Sequence, residues 1–357
     1  MQIVTAVIPC YQEREFIRSC LVSVLAFELP PAITLEVLVL DGMSTDGTRA
    51  IVSSMAEDDG RVRLVDNPGR IQSSAMNRGI AEAKGEYIVR LDAHATYPRD
   101  YLRLCLETAE RTGADNVGGV VRTLQRGDSY QAAVTQALTT HRFGVGNSGF
   151  RVGTPEGEAD TVPYGCFRRD VFDRVGLFDE RLVRAQDYEM NRRIRHYGGR
   201  VWLNPAVVLD YYQQSTLANF YRKQFVYEAP YNAYLWYVAP YAFAPRHAVT
   251  AVFAAGVVGG MVLAPVSTII RVIFALVLGL YFMLSVLSAI QQAVRYRRFW
   301  HVVVLPPCFF LYHFGHGAGV WCGALRLLTG RAPVQVRRAP SGSGERNSPD
   351  EPRPLGA

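Results

Sequence analysis

The segment Glu86-Tyr87-Ile88-Val89-Arg90-Leu91-Asp92-Ala93-His94-Ala95 joins an apolar strand to two side chains of the kind that bind metals and nucleotides. Ile88 to Leu91 predicts a short buried strand, which Arg90 interrupts. Because side chains two positions apart leave a strand on the same side, Asp92 and His94 can face one ligand. An open α/β sheet binds its ligands just beyond the carboxyl ends of its strands. Alone, however, the pair is more typical of exposed polar residues at a strand end.

Three strand–loop–helix units precede this segment. The apolar runs Ile3–Ile8, Leu35–Leu40 and Val62–Val65 predict strands, and helices are predicted over residues 15–27, 49–55 and 73–83. Repeated units of this size are typical of a mainly parallel, Rossmann-like α/β sheet that is covered by helices and connected by right-handed crossovers.

The loops after these strands carry the candidate ligand-binding residues. They are Pro9, Tyr11, Asp41, Arg70, Asp92 and His94. The Asp41 loop has neither a GxGxxG nor a GxxxxGK[ST] pattern, which argues against a dinucleotide dehydrogenase and a P-loop NTPase. An aromatic ring, an acceptor carboxylate, an arginine and a metal site together suit a nucleoside diphosphate. Taken singly, Tyr11 equally suits a loop plug, Asp41 a helix cap and Arg70 a solvated surface residue.

Several runs of sequence occur in an order that is highly specific. They are Val7-Ile8-Pro9-Cys10-Tyr11-Gln12-Glu13, Asp41-Gly42-Met43-Ser44-Thr45-Asp46-Gly47-Thr48, Asp92-Ala93-His94, Gly165-Cys166-Phe167-Arg168-Arg169-Asp170-Val171-Phe172, Val175-Gly176-Leu177-Phe178-Asp179-Glu180 and Gln186-Asp187-Tyr188-Glu189-Met190-Asn191-Arg192-Arg193. Over about two thirds of the chain they resemble an inverting glycosyltransferase of family 2 with a GT-A fold. Asp-Ala-His-Ala together with a C-terminal apolar region is most similar to the succinoglycan-biosynthesis glucosyltransferase group.

The resemblance implies a role for each matching residue in binding a nucleotide-sugar. Tyr11 and Asp41 would hold uracil, and Arg70 would lie near the base or ribose. Pro9 and Glu13 belong to the same nucleotide-sugar site. Asp92 would bind ribose or the metal-linked diphosphate.

His94 is a departure from the family pattern, since it stands where the DxD motif has its last, metal-binding carboxylate. Asp92 and His94 are therefore the expected metal ligands. A neutral imidazole suits Mn²⁺ better than Mg²⁺, so Mn²⁺ is favoured as the divalent cofactor.

The resemblance also implies a catalytic base at Asp187, which would take the proton of the acceptor hydroxyl. The family has a Glu-Asp pair where this chain reads Gln186-Asp187, so like-charge repulsion would raise the pKa of the base less than in relatives. Asp187 otherwise suits an acid near the start of a helix predicted over residues 188–197. Glu189 is a weaker candidate for the base.

An aromatic-rich segment, residues 211–247, follows the catalytic domain predicted over residues 1–210. Its tyrosines and basic residues suit the headgroup layer of a bilayer, or else a core helix packed under the catalytic domain. Gln224 to Glu228 does not match the QxxRW motif of processive family members. We therefore expect the addition of a single sugar.

The predicted membrane region covers residues 248–326. Residues 248–264 and 268–290 are each long and apolar enough to span a bilayer. We expect a third span over 302–325, with a re-entrant or interfacial segment as the alternative. Two spans would return the chain to the cytosol at Arg295–Arg298, in agreement with the positive-inside rule.

Charge and cysteine usage agree with this arrangement. The formal excess of +6 resides in residues 291–357, after the apolar region, which favours anionic lipid over nucleic acid as a partner. Six cysteines without CxxC pairing are consistent with a reduced cytosolic domain, and the N-terminus has no signal-peptide pattern. Residues 338–357 predict a disordered tail.

Together these features predict a membrane-anchored inverting hexosyltransferase on the cytoplasmic face of the inner membrane. It would move a hexose, with glucose expected, from a UDP-sugar to a lipid-linked oligosaccharide in exopolysaccharide or cell-surface glycan synthesis. One alternative is a transferase acting on a polyprenyl phosphate. The other is a catalytically silent membrane scaffold with the same fold.

Overall fold

The computed structural model describes residues 2–125 and 127–335, and the chain divides into two compact units. Among the described residues, the first unit contains those up to Arg122 together with Gly153–Tyr211, and the second contains Thr123–Val152 and residues 212–335. The predicted disordered tail at 338–357 lies outside the described residues.

The first half of the chain alternates strands and helices, as its apolar runs predict. In chain order the elements are β1 Gln2–Cys10, α1 Ile17–Leu25, β2 Ile33–Asp41, α2 Thr48–Asp58, β3 Val62–Asp66, α3 Gln72–Glu82, β4 Tyr87–Arg90, α4 Tyr101–Thr112 and β5 Asn116–Leu124. Then follow α5 Tyr130–Thr139, α6 Arg142–Val145, α7 Gly149–Val152, β6 Gly157–Glu158, β7 Cys166–Arg168, α8 Asp170–Val175, α9 Gln186–His196 and β8 Val201–Tyr212.

The eight strands form one sheet in the order β3-β2-β1-β4-β7-β5-β8-β6. The strands β1 to β4 pair in parallel, which confirms the predicted α/β fold class. Beyond them, β7 runs antiparallel to both β4 and β5, and β6 runs antiparallel to β8. This antiparallel half was not predicted, because β7 has three residues and β6 has two, too few to show a periodicity.

The strands at the centre of the sheet are apolar on both faces. In β1, Val4 and the run from Ala6 to Ile8 are fully buried, and so is the run from Val37 to Leu40 in β2. A strand of a parallel sheet is covered by helices on both sides, so its sequence is almost continuously apolar instead of alternating. Complete burial of each Val or Leu side chain stabilises the fold by roughly 1.5–3 kcal/mol.

The second unit is helical. After α5 to α7 it contains α10 Leu217–Arg222, a π-helical turn Lys223–Glu228, α11 Ala229–Val238, α12 Pro245–Leu263, α13 Thr268–Tyr296 and α14 His301–Leu328. The helix α14 packs against α11, α12 and α13. Its Leu305 and Phe309 are fully buried in a cluster with Leu138 of α5, Phe220 of α10 and Ala289 of α13.

Within the described ranges, α12 and α13 are the two helices long and apolar enough to cross a membrane. In α13 an apolar stripe with the helical period faces outward, with Val272, Leu276 and Leu280 between 52% and 68% exposed. The third predicted span, 302–325, falls within α14. That helix is continuous for 28 residues, so it has no re-entrant turn, and it is not among the two helices.

Candidate active site

Tyr11 and Asp41 occupy neighbouring loops, because β1 and β2 are paired up to Cys10 and Asp41. A Cβ atom at Gly42 would lie 3.1 Å from Cδ2 of the Tyr11 ring, so the glycine allows the ring to lie close to the Asp41 loop. Tyr11 is 48% exposed. An exposed aromatic ring held against a loop in this way can stack on a planar base.

The Asp41 carboxylate is fully buried. Its Oδ2 accepts hydrogen bonds from the Ser44 backbone N–H at 2.9 Å and from Arg49 Nη1 at 2.8 Å. Its Oδ1 has no hydrogen-bond partner among the described residues. A buried carboxylate oxygen without a partner is costly, so this atom is suited to accept an N–H of a bound base.

The two loops are also joined through backbone hydrogen bonds. The N–H of Gln12 donates to Ser44 Oγ at 2.9 Å, and the N–H of Glu13 donates to Thr48 Oγ1 at 2.9 Å. The side chain of Gln12 in turn accepts from the N–H of Asp46 at 3.1 Å. These bonds hold the Tyr11 and Asp41 loops as one preformed surface.

His94 lies between two carboxylates. Its Nδ1 is 3.0 Å from Oε1 of Glu13, and its Nε2 is 4.0 Å from Oδ2 of Asp92. In the neutral tautomer that donates Nδ1–H to Glu13, Nε2 carries the lone pair and faces Asp92, as it would in a metal-ligating imidazole. Within the described ranges no group of three or more potential ligand side chains could hold a metal. A cation here would therefore take two protein ligands and complete its shell from the diphosphate and water.

Arg90 connects Asp92 to Asp187. Its Nη2 donates to Oδ1 of Asp92 at 2.7 Å, and its Nη1 donates to Oδ2 of Asp187. Burial raises the pKa of the Asp187 carboxyl above its usual value, and the charge of Arg90 only partly opposes this. Burial would also raise the pKa of Asp92, but Arg90 and His94 outweigh it, and the net pKa is lowered. The same guanidinium therefore contacts two carboxyl groups, of which Asp92 has a lowered pKa and Asp187 has a raised pKa.

Asp187 is the second residue of α9, which begins at Gln186, two residues before its predicted start. The Asp187 side chain is 29% exposed, so an incoming hydroxyl group can reach it. Gln186 is buried, and its amide lies against that of Gln72. Glu189 is buried and pairs with Arg193 on the same helix, so it does not join the group around Arg90.

Two predicted residues stand apart from these contacts. Pro9 lies within β1, paired with Leu40 of β2. Arg70 is exposed, and its side chain makes no hydrogen bond or ion pair to any other residue that the structure describes. The structure thus brings together Tyr11 with Asp41, and Glu13 with His94, Asp92 and Asp187, but not Arg70.

Sequence reasoning missed the residues that surround Asp92. Besides Arg90, they include Tyr97, whose hydroxyl accepts the Asp92 N–H at 2.7 Å, and Tyr164, whose ring lies 5.2 Å from the Arg90 guanidinium. The signal for Arg90 was present, since an arginine inside a buried strand requires a carboxylate partner. The two tyrosines carried no comparable signal.

The site loops hold most of the strained backbone. Six described non-glycine residues have a positive φ, and four of them border the groups above: Gln12 (56°), Met43 (64°), Tyr164 (48°) and Ala185 (63°). A Cβ atom makes this backbone conformation unfavourable, and residues that adopt it are concentrated at functional sites.

Comparison with known proteins supports the predicted family. Residues 5–176 match the family described as Glycosyl transferase family 2. The chain is 36% identical over 223 residues to the succinoglycan biosynthesis protein ExoA of Rhizobium meliloti (strain 1021), covering 62% of this chain and 66% of that protein. It is 26% identical to a dolichyl N-acetyl-alpha-D-glucosaminyl phosphate 3-beta-D-2,3-diacetamido-2,3-dideoxy-beta-D-glucuronosyltransferase of Methanococcus voltae, covering 64% of this chain and 73% of that protein.

A similar solved structure is the mannosyltransferase PcManGT from Pyrobaculum calidifontis, in complex with GDP-Man and Mn²⁺. It has a TM-score of 0.58 and 21% identity, and covers 91% of this chain and 86% of the other. At that identity the likeness supports the GT-A fold alone. The sheet and the family match define a glycosyltransferase domain with a GT-A fold. The chain belongs to glycosyltransferase family 2 and is a glycosyltransferase, close to the succinoglycan group.

Proposed function

We propose that this protein is a membrane-anchored, inverting, non-processive hexosyltransferase of polysaccharide or cell-surface glycan synthesis. It moves a hexose, glucose being our choice, from a UDP-sugar to a lipid-linked oligosaccharide. The succinoglycan relative is named for biosynthesis of a polysaccharide, and the Methanococcus relative is named for transfer to a dolichyl-linked sugar phosphate. The first name supports a role in polysaccharide synthesis, and the second supports a glycan acceptor that is attached to a lipid.

The observation that carries this proposal is the contact of one arginine, Arg90, with both Asp92 and Asp187. Asp92 lies where a donor diphosphate would bind, and Asp187 is partly exposed. Because both carboxylates contact the same guanidinium, a base at Asp187 lies near the donor and can reach the hydroxyl group that attacks the sugar.

In the proposed reaction the acceptor hydroxyl oxygen attacks the anomeric carbon of the donor. The bond from this carbon to the diphosphate oxygen breaks, and UDP leaves with the electron pair. The hydroxyl proton passes to the Asp187 carboxylate. Tyr11 and Asp41 hold the base and Asp92 holds the ribose or diphosphate, while Pro9, Glu13 and Arg70 complete the proposed nucleotide-sugar site.

A divalent ion fits the donor set formed by Asp92 and His94, with Mn²⁺ favoured over Mg²⁺ by the imidazole. When bound, it would neutralise charge on the leaving diphosphate. His94 is oriented for this role by Glu13, and Asp92 by Arg90 and by the Tyr97 hydroxyl.

The outward apolar stripe of α13 supports a membrane anchor, since lipid is the partner that would cover such a face. With the arginine-rich segment at the C-terminal end of α13 on the inner side, the catalytic domain is proposed to face the cytoplasm from the inner membrane.

The test is to incubate the purified full chain with labelled UDP-sugars, with and without Mn²⁺ or Mg²⁺. The acceptors are a lipid-linked oligosaccharide and, separately, a polyprenyl phosphate. We expect label in the extended oligosaccharide, with one sugar added. Label on the polyprenyl phosphate would instead identify the protein as a polyprenyl-phosphate glycosyltransferase. If no UDP-sugar were bound or consumed with either metal, the proposed donor would be refuted.

A further inference from the structure

Arg90 is the last residue of β4, and its charged side chain is buried in the protein. Its side chain is 6% exposed, and it contacts the carboxylates of Asp92 and Asp187, which belong to the donor and acceptor halves of the proposed reaction. A buried cation is tolerated only when it is paired, so the two carboxylates explain why the arginine can be there.

The guanidinium is restrained from further directions. The Tyr164 ring lies 5.2 Å from its carbon atom, and the Gln72 amide lies within hydrogen-bonding distance of its Nε. A planar guanidinium presents its N–H groups in a rigid fork, so it can set the separation of two carboxylates. A lysine at this position would offer a point charge without that geometry.

The two carboxylates would otherwise repel each other, because both belong to one partly desolvated site. Without a cation between them, Asp187 could turn through its exposed side toward solvent, and Asp92 would lose a charged partner. The arginine thus counters a repulsion that acts directly on the spacing between the base and the donor.

We propose that Arg90 is a positioning residue for glycosyl transfer, which holds Asp187 at a fixed distance from the donor-binding Asp92. This inference rests on the proposed function. It assigns no contact between Arg90 and the substrates, since Arg90 acts through the two carboxylates.

The experiment compares the wild type with Arg90→Met and Arg90→Lys in the full chain. We expect kcat to fall by about 10²-fold or more in R90M, the scale on which general-base catalysis contributes. R90K keeps the positive charge but lacks the planar guanidinium with its fixed N–H groups, so we expect its kcat to lie between those of R90M and the wild type. The donor KM should rise by a smaller factor than kcat falls, and added guanidinium should restore part of the kcat of R90M.

Arg193→Met is the matched control. Arg193 is also a well-buried arginine of the first unit, 12% exposed, and it pairs with Glu189 on α9. Its loss should lower thermal stability without a selective loss of kcat, and guanidinium should not rescue the variant. If R193M reproduced the kinetic pattern of R90M, the effect would be general destabilisation and the proposal would fail.

A double-mutant cycle with Asp187→Asn provides the second readout, by single-turnover measurement of residual transfer. If Arg90 acts through Asp187, R90M should cost less than about 3-fold in the D187N background, because interacting residues are not additive. Fully additive losses, or a wild-type kcat in both Arg90 variants, would overturn the inference. R90K supplies the same comparison should R90M fold poorly. A wild type inactive with every donor would instead refute the proposed function, and this inference with it.

Discussion

Replacing Glu13 by alanine should weaken metal binding without removing a metal ligand. Glu13 Oε1 lies 3.0 Å from Nδ1 of His94 and leaves Nε2 directed at Asp92. Loss of the carboxylate frees the imidazole to rotate and to change tautomer, so fewer molecules present Nε2 to the cation at any moment.

The expected loss of metal affinity depends on how exposed His94 and Glu13 are. Removing a partner that orients a metal ligand typically costs about 10–100-fold in metal affinity, or about 1.4–2.7 kcal/mol. The His94 side chain is 47% exposed and Glu13 is 20% exposed, so water replaces part of the lost hydrogen bond. We therefore expect the lower end, an increase of about 10-fold in the Kd for Mn²⁺. Glu13→Gln should give a smaller increase, since the amide oxygen still accepts from Nδ1–H.

The assay is titration of Mn²⁺ in the presence of UDP, followed by the electron paramagnetic resonance signal of free Mn²⁺. Glu15→Ala is the matched control, because Glu15 is exposed and makes no side-chain hydrogen bond to another described residue. A Kd for Glu13→Ala within 2-fold of the control value would refute the reasoning, as would an unchanged Kd in His94→Ala.

Further expectations concern the base, the nucleotide pocket and the anchor. Asp187→Asn should lower kcat by about 10²–10⁴-fold with little change in donor Kd, measured by transfer and calorimetry. Because burial raises the pKa of Asp187, activity should decline, as pH falls, at a higher pH than for an exposed aspartate, measured as the acid limb of kcat/KM. Asp41→Asn should weaken UDP binding and also lower the unfolding temperature, since its Arg49 pair loses a charge. The full chain should remain in membranes after a carbonate wash.

Each of these expectations has a clear contrary result. Full turnover in Asp187→Asn would show that Asp187 is not the catalytic base. An acid limb of kcat/KM at or below the ordinary aspartate pKa of about 3.9 would contradict a pKa of Asp187 raised by burial. Unchanged UDP affinity in Asp41→Asn would mean that its buried Oδ1 receives no base N–H. Release of the chain by carbonate would exclude α12 and α13 as spans.

The pH dependence of stability should differ between the two carboxylates. Asp92 has a lowered pKa in the folded protein, so its contribution is present above the unfolded value and is lost as pH falls through the folded value. Asp187 has a raised pKa, so its ionisation reduces stability as pH rises between the unfolded and folded values. Thermal unfolding of Asp92→Asn and Asp187→Asn across acidic pH should separate these opposite slopes.

The parallel half of the fold could be predicted because its strands are long, apolar and regularly spaced. β1 to β3 and the helices after them lie within two or three residues of their predicted bounds. The antiparallel half depends on pairings between strands distant in sequence, such as β7 with β4 and β5, and a short local window contains no information about them. β8 also continues through Pro205 to Tyr212, although proline cannot donate a backbone hydrogen bond to a neighbouring strand.

The site could be predicted for side chains that follow strands directly, as Tyr11, Asp41, Asp92 and His94 do. The pairing of Arg90 with Asp187 spans 97 residues, and only the folded chain reveals it. The same holds for the contact between Glu13 and His94, which turns a residue predicted to bind the nucleotide-sugar into a partner of the proposed metal ligand.

The left-handed residues around the site have a consequence for engineering. Each non-glycine residue in that conformation costs about 1 kcal/mol or more. Glycine in place of Ala185 would relieve this cost in the folded state. Yet it would also widen the range of backbone angles with which the chain enters α9, and so the positions open to Asp187. Selection for thermal stability alone would therefore favour this variant despite a lower turnover, so any such screen should measure both properties.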